Sequence, residues 1–190
     1  MVCKNTTENG RNESERKKGV YSSVLLALFP DRRDHSWVGD TSDLSPDLGK
    51  KEPVFQCVAV NQEIDYSRDA KVSSEFAQYL GVKPDKVVFD SDYVISYDDV
   101  EMKEANESSY EKFFLNWHVH KLDAIIMPES FENYCKRRGG EFTQVLELND
   151  QAVLDKLGLH MPENEKLLLC IPSDSEHLEE AQKFVEYVME

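Results

Sequence analysis

Asp90, Asp92 and Glu129 are the side chains in this sequence best suited to chemistry. Two carboxylates one residue apart in an Asp-Ser-Asp run, with a third elsewhere, could hold a hard cation such as calcium or magnesium, or meet an amine on a ligand. Ser91 and Ser130 add hydroxyls beside them, and Asn61 adds an amide. With a histidine as base, the same carboxylates could serve a metal-assisted hydrolase, although no spacing in the chain demands one. The plainer alternative is that Asp90, Ser91 and Asp92 make a turn and Glu129 sits at a helix amino terminus, where negative charge is favourable. His118 and His120 flank Val119; extended, they would point the same way toward a transition metal, and at a helix end they would simply complement its dipole.

Other chemistries have less to build on. The chain holds no G-x-S-x-G elbow, and Cys57, Cys135 and Cys170 lie in apolar stretches where thiols are desolvated and inert. With Cys3 they make four cysteines without CxxC or metal-like spacing, so free thiols are expected. Gly139-Gly140 follows an apolar periodic stretch and reads as a helix end, not a phosphate cradle. Lys136, Arg137 and Arg138 fall in that helix's last turn, where cations complement the dipole. No cofactor is implied. Sequons at Asn5, Asn12 and Asn106 would matter only in a glycosylating pathway.

Composition narrows the partners. With 22 Lys plus Arg against 37 Asp plus Glu, the 190-residue chain carries a net charge of -15, which repels nucleic acid and anionic lipid. A small molecule, a cation or a basic protein remains open as a partner. The longest apolar stretch, Val24 to Phe29, is far short of the roughly 20 residues that cross a bilayer. No secretory signal opens the sequence, so the chain reads as soluble as written, without a membrane span.

The elements that must position these residues follow from periodicity. Residues 1–18 are polar without period and predict a disordered leader. Residues 19–53 predict a docked apolar segment, Gly19 to Phe29, and a long connector rich in Asp, Ser, Gly and Pro. Residues 54–190 predict one α/β domain. Val54 to Val60 reads as a central strand covered on both faces, and Asp69 to Leu80 as a helix turning Val72, Phe76, Tyr79 and Leu80 inward, with Gly81 as its C-cap. Lys86 to Phe89 reads as a second strand, broken at Asp90-Ser91-Asp92 before Tyr93 to Tyr97 pairs briefly. Ser108 and Glu111 have capping-box spacing ahead of a helix with a Tyr110, Phe113, Phe114, Trp117 stripe. Leu122 to Met127, Thr143 to Leu148 and Lys166 to Ile171 supply further extended segments. Between and after them come a helix through Phe131 and Tyr134, a short one capped by Asn149 and closed by Gly158, and a last one opened by Ser173 and Glu176. Strands alternating with helices imply right-handed crossovers and a mostly parallel sheet.

From Val54 onward, VFQCVAVN, SSEFAQYLGV, VVFDSDYVISYDD, KLDAIIMPESFENYCKRRGGEF and IPSDSEHLEEAQKFVEYV together resemble one lobe of the type II periplasmic-binding-protein-like fold. More narrowly they look like small solute-binding-like proteins of Gram-positive bacteria that are tethered by an amino-terminal membrane helix. The resemblance implies a mostly parallel sheet flanked by helices, with the final strand and helix returning to the lobe. It also implies an extracytoplasmic, membrane-associated, lipoprotein-like setting. Only residues 141–165 lie between the third helix and the return strand, too few for a second lobe, so a ligand would sit on an open face. The expected function is a non-enzymatic binding or interaction domain, with Asn61, Asp90, Ser91, Asp92, Glu129 and Ser130 at the carboxyl ends of the strands. The alternatives are the metal-assisted hydrolase and an acidic partner, inhibitor-like or immunity-like, that masks a basic protein surface.

Overall fold

The computed structural model describes residues 52–105 and 107–190. The leader, the docked segment, most of the connector, Cys3 and the asparagines of all three sequons lie outside the described residues. What is described is an α/β unit with a five-stranded sheet in the order β2-β1-β3-β5-β4. The strands are β1 (Phe55–Val60), β2 (Val87–Tyr93), β3 (Ala124–Pro128), β4 (Phe142–Glu147) and β5 (Leu167–Pro172). The helices are α1 (Tyr66–Leu80), α2 (Glu107–His118), α3 (Glu129–Arg137), α4 (Gln151–Leu157) and α5 (Leu178–Met189).

The apolar runs become the inner strands because both of their faces are covered. On one face Phe55, Cys57 and Ala59 of β1 and Leu167, Leu169 and Ile171 of β5 pack with α1, α4 and α5. On the other, Val58, Val60, Ile125, Met127 and Cys170 pack with Phe113, Trp117, Phe131 and Tyr134 of α2 and α3. Phe76 anchors the first core, with ring centroids 4.9 Å from both Phe55 and Phe184, and is fully buried. A buried Phe contributes about 1.5–3 kcal/mol.

The sheet is mixed, not purely parallel, with β5 alone running against the other four strands. β1 pairs in parallel with β2 and β3, whereas β5 runs antiparallel to both β3 and β4. The connection from β4 to β5 holds only the seven-residue α4 and the segment 158–166, and Leu148 N already donates to Leu167 O at 2.8 Å. β5 therefore enters from the carboxyl edge and points the other way. Its fully buried, apolar pattern would read the same in either direction.

β2 is not broken at Asp90-Ser91-Asp92 but runs through them. Val58 pairs with Asp90 and Val60 with Tyr93, so one extra residue bulges from β2 and Tyr93 lands on the α2 side. Helix starts also differ from their sequence signals. Asp65, not Asp69, opens α1, its carboxylate accepting from Ser67 N at 2.9 Å and Arg68 N at 3.1 Å. α2 begins at Glu107, which puts Ser108 inside the helix, and Asp150 rather than Asn149 caps α4. α5 starts at Leu178 instead of near Ser173, whose hydroxyl donates to Glu141 O at 3.2 Å and does not cap the helix. The left-handed C-caps at Gly81 and Gly158 stand where the sequence places them. Tyr79 stays 40% exposed and stacks against Phe76 instead of entering the core.

Candidate functional site: the carboxyl ends of β1, β2 and β3

Three parallel strand ends stand side by side, β2 next to β1 next to β3, and the residues after them form one edge. Asn61 follows β1 with φ 56°, a left-handed backbone that asparagine tolerates. Its amide donates to Ile95 O at 3.0 Å and accepts from Ile95 N at 2.7 Å, while Asn61 N reaches Tyr93 O at 2.9 Å. The side chain thus extends the β1 to β2 pairing by one rung and fixes the segment after β2.

The Asp-Ser-Asp run splits across the sheet. Ser91 is fully buried on the α1 face, where its amide and hydroxyl both donate to the Asp69 carboxylate, at 2.9 and 2.7 Å. Asp69 also pairs with the buried Arg68 at 3.1 Å, and Arg68 donates to Gly158 O at 3.1 Å and Glu63 O at 2.8 Å. One guanidinium therefore joins the β1–α1 loop, the start of α1 and the end of α4. On the opposite face, Asp90 pairs with Lys112 of α2 at 2.9 Å and accepts from Asp92 N at 2.9 Å. The Lys112 ammonium also lies over the Tyr93 ring, 4.2 Å from its centroid. Partial burial works against its charge, yet the Asp90 hydrogen bond, with Tyr93 and both aspartates, holds its pKa above the usual lysine value. The edge is less acidic than the sequence suggests: a cation from the chain itself already meets Asp90.

Ser130 stands in the first turn of α3. Its amide and hydroxyl donate to Glu165, at 3.0 and 2.6 Å, and its oxygen shares a 2.7 Å hydrogen bond with the Tyr97 hydroxyl. Burial pushes the Tyr97 pKa up, offset in part by that bond to Ser130. Glu129 donates its amide to Lys166 O at 3.0 Å. Of the six candidates, Asn61, Ser91 and Ser130 are committed to holding loops, Asp90 is paired, and Asp92 and Glu129 are half-buried, their charges acting on Lys112 and Lys166 respectively.

The metal readings do not assemble. Among the described residues, no three His, Cys, Asp or Glu side chains converge as a metal site, so Asp90, Asp92 and Glu129 do not form the ligand set of a hydrolase. His118 is the last residue of α2 and His120 has φ 57°, so the pair is not extended. His120 instead reaches Asp174 at 3.1 Å. Cys57, Cys135 and Cys170 are buried free thiols, and burial pushes the pKa of each up, away from reactivity.

A cluster that sequence reasoning missed lies at the opposite edge. Asp123, buried just before β3, accepts from Gln56 N at 2.8 Å, from the Ser175 hydroxyl at 2.7 Å and from His177 Nδ1 at 3.2 Å. Burial raises its pKa even against those three partners. With His120 bound to Asp174, the turn before β3 and the turn after β5 exchange a His–Asp contact in each direction. The signal was an aspartate directly before an apolar strand, matched by a Ser-x-His after another.

No helix among the described residues is long and apolar enough to cross a membrane. Set against protein-family models, curated proteins and solved structures, the chain matches none of them.

Proposed function

We propose that this chain is a non-enzymatic binding domain, built as a single solute-binding-like lobe that takes a cationic ligand on the open edge at the ends of β1, β2 and β3. The observation that carries the reading is Lys112: the edge already seats an ammonium against the Asp90 carboxylate and the face of Tyr93. Carboxylate and aromatic face together are what an amine needs for recognition. Asp92 adds negative charge beside it, and Glu129 stands farther along the edge, at the end of β3. The solute-binding-like part draws support from the last strand and helix, which return to the lobe with β5 laid antiparallel between β3 and β4.

The loops around the edge are held by Asn61, Ser91 and Ser130, so the surface is set before a ligand arrives and binding costs little ordering. An open edge buries only part of a small molecule, which points to micromolar rather than nanomolar affinity. The test is calorimetry and thermal shift with spermidine, calcium and magnesium on the full chain and on D92N/E129Q. Saturable spermidine binding that the double variant loses supports the reading. No heat and no shift with any of the three probes overturns it.

A further inference from the structure

Lys112 is the one Lys or Arg of α2, and its ammonium lies where several features of the fold converge. Oδ2 of Asp90 takes it at 2.9 Å, while Oδ1 of the same carboxylate is held by the Asp92 amide at 2.9 Å. The Tyr93 ring lies under it, 4.2 Å to the centroid, and the Asp92 charge acts on it as well. In a regular strand Asp90 and Tyr93, three residues apart, would stand on opposite faces of the sheet. The extra residue that bulges from β2 sets both on the α2 side. None of the supports of this seat is Lys112 itself. Tyr93 is fully buried, its ring edge-on to Phe113 with centroids 6.2 Å apart and its hydroxyl accepting from Asn116 Nδ2 at 3.1 Å. The Lys112 side chain is 42% exposed, on a flexible four-carbon stem, and ion pairs so exposed are weakly held.

We infer that Lys112 is a built-in occupant of an amine seat: its ammonium holds Asp90 and Tyr93 closed to free ligands, and a primary ammonium on an aliphatic chain binds by displacing it. The inference rests on the cation-binding reading of this edge, and it names both the group that binds and the contact that restrains binding. A primary ammonium is selected because the 2.9 Å contact with Asp90 needs an N–H donor, which a quaternary ammonium lacks. A calcium or magnesium ion finds too few oxygens, since among the described residues no three His, Cys, Asp or Glu side chains converge. A tethered ammonium competes at an effective concentration on the order of millimolar. The apparent affinity of a free amine falls by the fraction of time the seat stands open, so a lysine seated about nine-tenths of the time weakens binding about tenfold.

The experiment is calorimetry of the full chain with spermidine, on the wild type and on Lys112→Ala, in which alanine, the best helix former, keeps α2 intact. The expected result is a Kd about tenfold lower in Lys112→Ala. n-Propylamine, which restores the atoms the substitution removes, is expected to raise the Tm of Lys112→Ala and leave that of the wild type unchanged, and tetramethylammonium should raise neither. Lys183→Ala removes the same charge from an exposed pair with Glu179 on α5 and should leave the spermidine Kd as it is. Asp90→Asn in the Lys112→Ala background should abolish the gain. A Kd in Lys112→Ala equal to or above that of the wild type overturns the inference. So does an equal gain in Lys183→Ala, or a gain that survives Asp90→Asn. If the wild type binds spermidine and D92N/E129Q loses it, while Lys112→Ala brings no gain, the binding edge stands and the built-in occupant alone falls. Absence of spermidine binding in both the wild type and Lys112→Ala removes the two together.

Discussion

Replacing Arg68 with Met should weaken the folded state by about 3 kcal/mol, because the change strips the counter-ion from a buried carboxylate. Arg68 and Asp69 have side chains only 8% exposed, and Arg68 donates to four acceptor contacts in all: Asp69 twice, Gly158 O and Glu63 O. Breaking one partner out of a buried pair costs about 3–5 kcal/mol. The lower end applies here, since Asp69 keeps both bonds from Ser91 and the two loop carbonyls can be rehydrated. For the roughly 140 described residues, that loss corresponds to about 10 °C in Tm. Urea denaturation at neutral pH measures it, and the R68M/D69N double variant separates its cause. Removing the orphaned charge should make the double variant more stable than R68M alone, a positive coupling of at least about 1 kcal/mol. An R68M loss below about 1 kcal/mol, or a double variant that is additive, would refute the claim that this guanidinium ties the loops of the site to the core.

Gly140→Ala would place a Cβ 2.6 Å from Trp117 Cη2 and 3.0 Å from the Cys135 carbonyl, which accepts the Gly140 amide and cannot retreat. A loss of about 1–3 kcal/mol with a changed tryptophan emission is expected from denaturation followed by fluorescence. Asp123 binds its proton more tightly folded than unfolded, so its contribution is fully present below the unfolded pKa and is lost as pH rises through the raised folded value. Asp123→Asn should remove that falling component, read as the difference between the two stability–pH curves across the acidic range. Cys57, Cys135 and Cys170 should resist a thiol reagent in the native protein and react at once in urea, as a timed labelling experiment would show.

Much of the fold was legible because burial writes itself into composition. Val54 to Val60 had to be covered on both faces, and Gly81 and Gly158 marked helix ends through the left-handed backbone they supply. Strand direction was not legible: LLLCIP is buried throughout and reads the same either way, and only its pairing with β3 and β4 shows β5 to be antiparallel. Asp90-Ser91-Asp92 looked like a turn because each residue favours one locally. Their partners, Lys112 and Asp69, stand 22 residues away on two different helices and keep the strand intact. Local preference lost to distant hydrogen bonds. The position of the candidate site was readable from the strand ends, but its division of labour was not, since only tertiary contacts reveal that Ser91 and Ser130 hold loops while Asp92 and Glu129 stay half-buried.

Amide chemical shifts of the isotope-labelled full chain, followed during titration with spermidine, bear most directly on the proposed binding edge. Saturable changes confined to Asn61, Asp90 to Ile95, Lys112 and Glu129 to Ser130 are predicted. Changes scattered evenly over the acidic surface, or none at saturating probe, would contradict a cation-binding site at these three strand ends.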